Sequence, residues 1–318
     1  MKMTQQHDTL LTETLDANNQ QKMYDNICKK VLANKEILAH IMKECVIEYR
    51  DYSVKEITER FIEGEPYIGS INVKTGENIT GMSTESTNSK MFYDIRYQAI
   101  VPNGDDYIEL IINVEAQNDY RPGYPLLKRG VYYGANMITG QYGTVFSNSD
   151  YHKLQKVYSI WICYDVPKYL QNTISGYEIT EKNLIGNFTE TKENYDLLTI
   201  VMVRLGDASS QSESSVLKLL NTLLASEISA KQKIEFLEDE FDIARGQKIE
   251  GDVSLMCDLS KGVLRKGFEK GIEQGIEQIA KKMILRGDEI ADIIELTELT
   301  EAEIAGLKLQ EDKKSKEM

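Results

Sequence analysis

The chain has 318 residues, of which 41% are apolar and 28% charged, and its formal net charge is −14. That length allows a substantial core in one large domain or two ordinary ones, and only 5 prolines argue against long disordered linkers. The acidic balance excludes indiscriminate binding to nucleic acid, which rewards positive surface, but it leaves room for a local basic groove or an acid-lined metal site.

Cys28, Cys45, Cys163 and Cys257 show no metal-finger spacing and read as reduced, mostly buried thiols. The opening stretch MKMTQQHDTLLTETLD has no apolar signal core, and no run of about eighteen apolar residues marks a membrane span. A cytoplasmic location without membrane partners is the expectation. His7, His40 and His152 are scattered and offer no zinc pair.

Residues 1–20 are polar and expected to be flexible. From Gln21 a helical pattern builds, with Ile37, Leu38, Ile41, Met42, Cys45, Val46 and Tyr49 on one stripe and Asn34 as N-cap. Ser53 and Glu56 have capping-box spacing and predict a short helix to Ile62. Residues 64–90 are rich in Gly, Ser and Thr and read as a short strand or two and an exposed loop.

Phe92 to Gln117 predicts a hairpin around Pro102-Asn103-Gly104-Asp105. Alternation puts Asp94 on the face shared by Phe92, Arg96 and Gln98. It puts Glu115 with Glu109, Ile111, Asn113 and Gln117. A two-residue loop of Asn103-Gly104 sets Asp94 opposite Asn113 and diagonal to Glu115. A loop of Gly104-Asp105 sets it directly opposite Glu115. A three-residue loop with a bulge breaks this parity. Two carboxylates held this close repel unless a cation neutralises them, and such oxygen ligands suit magnesium or manganese. Glu115 interrupts an apolar strand, so a cation or Arg partner is favoured over solvent; Arg96 is the alternative partner. Gln117 adds an amide able to hold a water or a phosphate oxygen.

Pro125 opens a predicted helix to about Thr139, with Arg129, Tyr133 and Asn136 on one face. Lys128 and Arg129 either clamp a phosphate or cover the helix surface. VYSIWICY, 157–164, reads as a central strand covered on both sides, followed by strands at 175–180 and 197–205. The pattern is a mixed α/β sheet flanked by helices, with an all-α C-terminal extension.

From Ser212 the chain turns helical. Gly267, Gly271 and Gly275 recur every four residues in KGFEKGIEQGIEQIAKKMI, either as a smooth ridge for a partner helix or on a solvated charged extension. A helix pair around Leu299-Thr300 follows. It has the outline of a helix-turn-helix, but its acidic second helix favours a packing module over DNA reading. The end, EDKKSKEM, is expected to be disordered.

An Asp on one strand and Glu-X-Gln on the next, between two helices, resembles the core of the PD-(D/E)XK nucleases. YDIRYQAIVP, IINVEAQND, YPLLKRGVYYGANMIT, KVYSIWICY, YDLL, MCDLSKGV and GIEQGIE together are similar to the transposase-related branch, near the recombination-promoting nucleases. The resemblance spans roughly Tyr24 to Leu307. It implies a restriction-endonuclease-like domain over 21–210, a helical extension over 211–260, and a Gly-repeat helix with a helix pair over 261–310. It implies Mg²⁺-dependent (or Mn²⁺-dependent) hydrolysis of DNA in recombination, mobile elements or defence. Asp94, Glu115 and the Ala116 carbonyl would hold the metal, with Gln117 where the family usually has Lys. Glu85 and Glu48 are the candidates for a further acid, and Arg129 and Tyr133 for substrate contact. The alternative is a catalytically weak or inactive nuclease fold acting as a binding module, a homo-oligomer through its C-terminal helices.

Overall fold

The computed structural model describes residues 17–68, 95–103, 106–117, 120–209 and 212–317. Two compact units form, one from Lys22–Cys257 and one from Asp258–Met318 with Met1–Gln21.

The first unit is a mixed α/β layer structure. Helices α1 (Ala17–Leu32) and α2 (Lys35–Cys45) come first. Asn34 caps α2 by accepting from the amides of Glu36 at 2.9 Å and Ile37 at 3.2 Å. The stripe Ile37, Leu38, Ile41, Met42 is fully buried. Ser53 and Glu56 close a capping box at the start of α3 (Val54–Glu56), which continues as a π-helical turn over Ile57–Phe61.

Six strands follow: β1 (Tyr67–Ile68), β2 (Ile95–Asn103), β3 (Asp106–Gln117), β4 (Lys156–Cys163), β5 (Thr173–Glu178) and β6 (Leu198–Arg204). They form one sheet in the order β1-β2-β3-β4-β6-β5. The pairs β3–β4 and β4–β6 are parallel; the other neighbours are antiparallel. Every residue of β4 is buried, which explains its near-continuous apolar sequence at the centre of the sheet. Helix α4 (Leu126–Thr139) makes the β3–β4 crossover. Pro125 is its N-cap rather than its first residue.

Helix α4 lies against one face. Leu126, Tyr133 and Met137 pack with Val157, Trp161, Cys163, Leu198, Ile200 and Met202. The approach is close because Gly130 sits where a Cβ would come within 2.9 Å of Ile200 Cγ2 and 3.1 Å of Trp161 Nε1.

Helices α5 (Ser215–Leu224) and α6 (Ala230–Phe241), in the segment 211–260 expected as a helical extension, belong to this same unit. Glu44 of α2 ties them in. Its carboxylate accepts from Ser214 Oγ, from Ser215 Oγ at 2.6 Å and from the Val216 amide at 3.0 Å. Burial opposes its ionisation, but these hydrogen bonds outweigh burial and hold its carboxyl below the usual range.

Helix α7 (Gln247–Arg286) is continuous through the glycine repeat and enters the second unit. It ends at Gly287, whose φ of +87° lets the Gly287 and Asp288 amides return to Met283 O. Helices α8 (Ile290–Thr297) and α9 (Glu301–Glu317) complete this unit. Ala280, Met283, Ile293, Ile304 and Leu307 form its small core, as a packing module requires. Thr300 and Glu303 cap α9 reciprocally. The helix runs on to Glu317, through the segment expected to be disordered, because LQEDKKSKE contains no Gly or Pro to stop it.

All four cysteines are free and buried. Burial pushes the Cys28, Cys45 and Cys163 thiols up to about 12. No described helix is long and apolar enough to cross a membrane.

Candidate active site

The hairpin register is now definite. Asn103 pairs with Asp106, and the ladder runs without a bulge to Ile95↔Val114. The connection is therefore Gly104-Asp105, not Asn103-Gly104, and the period-two parity holds along both strands. Asp94 precedes the described part of β2 by one residue, so it lies outside the described residues, as does Glu85.

Parallel pairing aligns transverse rows of residues. Glu115 pairs with Trp161, which pairs with Met202. Gln117 pairs with Cys163, which pairs with Arg204. Positions 115 and 117 thus have the parity of Trp161 and Cys163, the face that α4 covers. Ala116 has the opposite parity and is half-buried.

Helix α4 brings Arg129 and Tyr133 to this row. Arg129 Nη2 donates to Tyr133 OH at 2.8 Å, and its guanidinium lies 5.0 Å from the Tyr133 ring and 5.3 Å from the Trp161 ring. Tyr133 meets Trp161 edge-on at 5.4 Å, and Trp161 is fixed by donating from Nε1 to Ser159 Oγ at 2.9 Å. The i, i+4 spacing predicted that Arg129 and Tyr133 share a face. Asn136 shares the helix but not the role; its Nδ2 turns back to Tyr132 O at 2.7 Å.

Glu48 is not brought to this place. Its Oε1 accepts from Lys156 Nζ at 2.8 Å and its Oε2 from Tyr158 OH at 2.5 Å. Lys156 opens β4 in register with Leu110, roughly 17 Å along the strand from the Glu115–Trp161 row. Lys156 and Tyr158 also have the opposite parity to Trp161. Asp196 joins the same pair, 2.7 Å from Lys156 Nζ. This buried ion network stands at the other end and on the other face of the sheet.

Arg204 was missed by sequence reasoning. It closes β6 in the row of Gln117, two strands away, or about 10 Å at the usual strand spacing. Its Nε donates to Tyr120 OH at 2.9 Å and its Nη1 to Ser175 Oγ at 3.0 Å. The only sequence signal was a charge ending an apolar strand, LTIVMVR.

Among the described residues, no group of three or more His, Cys, Asp or Glu is placed to hold a metal ion. No family model, curated protein or solved structure matches the chain.

Proposed function

We propose that the protein is a divalent-metal-dependent DNA endonuclease with a restriction-endonuclease-like core, acting in the cytoplasm in recombination, mobile-element movement or defence. The observation that carries this reading is the hairpin register. The ladder from Asn103↔Asp106 to Ile95↔Val114 keeps the parity on which the expected pairing of Asp94 with Glu115 depends, and position 115 shares a row with Trp161, on the face where Arg129 and Tyr133 stand. Asp94, Glu115 and the Ala116 carbonyl form an all-oxygen donor set, which fits Mg²⁺ or Mn²⁺. When bound, the cation would supply an activated water and neutralise charge on the phosphate.

The chain's own residues do the rest. Arg129, oriented by Tyr133 OH and the Trp161 ring, offers a fixed guanidinium to a phosphate oxygen. Arg204 adds a second positive charge in the Gln117 row. Gln117 orients a water or a phosphate oxygen by hydrogen bonding and cannot act as a base. The buried Trp161, beside position 115 in the same row, keeps bulk water from that part of the face, which strengthens these charge interactions.

Nicking of plasmid DNA in Mg²⁺ tests the proposal. Asp94→Ala and Glu115→Ala should each abolish it, and persistent cleavage by both would sink the reading. The second reading, a nuclease-fold module that assembles without cutting, is favoured by one observation. Gly271 and Gly275 of α7 face open space, and Ile272 and Ile279 are about half exposed beside them. Calorimetric titration with Mg²⁺ and Mn²⁺ separates the two, since a non-catalytic assembly module needs neither ion.

A further inference from the structure

Three arginines at the C-terminal end of the parallel strands each hold a tyrosine by its hydroxyl. Arg121 Nη2 donates to Tyr169 OH at 3.3 Å, Arg129 Nη1 to Tyr124 OH at 3.1 Å, and Arg204 Nε to Tyr120 OH at 2.9 Å. These residues come from the link after β3, the first turn of α4, the link after β4 and the last residue of β6, so one end of the sheet gathers them. Tyr124 is 47% exposed and Tyr169 is 77% exposed. Two of the other exposed tyrosines have a packing explanation. Tyr142 and Tyr151 lie against Phe146, at ring distances of 5.5 Å and 5.4 Å, beyond the far end of α4. Tyr124 and Tyr169 instead present open rings whose hydroxyl ends are anchored.

We infer that this rim receives unpaired nucleotides, so that the substrate is single-stranded DNA or a strand opened next to the cleavage site. The inference rests on the nuclease reading for the place of cleavage. An exposed ring stacks on any base, but only on a base that has left its duplex stack. A tyrosine already tied at its hydroxyl loses little rotamer freedom when a base lands on it. Guanidinium groups at the hydroxyl ends of these rings suit the phosphates that link stacked bases. Arg121, Lys128 and Lys168, all exposed, stand at this end with the arginines of the rim, against the exposed acids Asp165 on the link after β4 and Asp207 on the link after β6, in a chain of net charge −14.

The test is fluorescence anisotropy of the full chain with labelled oligothymidylate and with a duplex of equal length, in EDTA so that nothing is cut. The single strand should bind more tightly than the duplex and weaken with salt. Tyr124→Ala and Tyr169→Ala should each lower single-strand affinity by about fivefold or more, while the Phe variants keep most of it. Duplex binding as tight as single-strand binding, or wild-type affinity in the double Ala variant, overturns the inference. So does a loss in the Phe variants equal to that in the Ala variants, because the rings would not then be responsible. Far-UV circular dichroism confirms that each variant is folded. Glu115→Ala separates the two proposals. If it and wild type bind the single strand alike and neither cuts, the cleavage reading fails and the rim stands. If wild type nicks duplex DNA and the Tyr→Ala variants bind and nick as it does, the rim fails and the cleavage reading stands.

Discussion

Lys156 Nζ sits 2.8 Å from Glu48 Oε1, and this contact spans 108 positions of the chain to pin the segment after α2 to the start of β4. The lysine side chain is 10% exposed and also meets Asp196 at 2.7 Å. Removing its charge leaves two largely buried carboxylates, with Lys192, 3.4 Å from Asp196, and the Tyr158 hydroxyl on Glu48 in partial compensation. Lys156→Met should therefore cost about 3 kcal/mol of stability, read from urea unfolding. Glu48→Gln should keep wild-type cleavage, because its partners lie far from the Glu115 row. Loss of cleavage in a folded Glu48→Gln protein would restore Glu48 as the further acid.

Tyr133→Phe deletes the hydroxyl that accepts from Arg129 at 2.8 Å and leaves the ring against Trp161. Stability should fall by only about 1 kcal/mol. Cleavage should fall about tenfold or more, because a guanidinium that is no longer aimed loses its phosphate geometry. Equal small losses in both measurements would make Tyr133 a packing residue.

Gln117→Lys introduces a positive charge in the row that ends at Arg204. The charge can stabilise a cleaved phosphate where an amide cannot, so the nicking rate should rise. Gln117→Ala should lower it. A Lys variant that nicks no faster than the Ala variant would remove Gln117 from the site.

Gly134→Ala tests how closely α4 approaches the sheet. A Cβ there would overlap Leu198 Cδ1, and Leu198 is buried in β6. Helix propensity returns about 1 kcal/mol, and overpacking in a tight core costs about 1–3 kcal/mol. The overlap wins, so the midpoint of urea unfolding should drop.

His40 carries a pH effect. Its imidazole is 9% exposed, faces the Phe241 ring edge-on at 5.0 Å, and buries Nε2 without a hydrogen-bond partner among the described residues. Burial lowers its pKa below the ordinary 6.5, with Lys43 adding to the shift, while the Phe241 carbonyl and Glu44 act against it. The folded state thus binds its proton less readily than the unfolded chain does. This contribution to stability is fully present above pH 6.5 and is lost as pH falls through the depressed value. Urea midpoints measured from pH 7.5 down to about 5 should fall, and His40→Leu should flatten that slope.

Local patterns carried much of this structure. The Asn34 cap, the Ser53–Glu56 box, the Thr300–Glu303 box and the buried strand at 157–163 all rest on contacts within a few residues or on a continuous apolar run. The pairing of Arg129 with Tyr133 followed from helical period alone. The hairpin sequence admitted two registers, because Asn-Gly and Gly-Asp both make two-residue turns. Only the full ladder from Asn103↔Asp106 to Ile95↔Val114 chose between them, since each further pair must satisfy the same parity.

Sequence distance hid the rest. Nothing near Glu48 announced Lys156, and nothing near Gln117 announced Arg204, because parallel strands meet their partners across a crossover rather than through a turn. The tyrosines held by Arg121 and Arg204, 48 and 84 positions away, show the same limit. Chemistry within one helical turn or one hairpin can be read from spacing, whereas a row across three parallel strands exists only once the sheet has formed. Asp94 and Glu115 were proposed as a pair from alternation. Folding supplied the surroundings of position 115: Trp161 beside it in the row, Arg129 over the Trp161 ring, and Arg204 in the next row, that of Gln117.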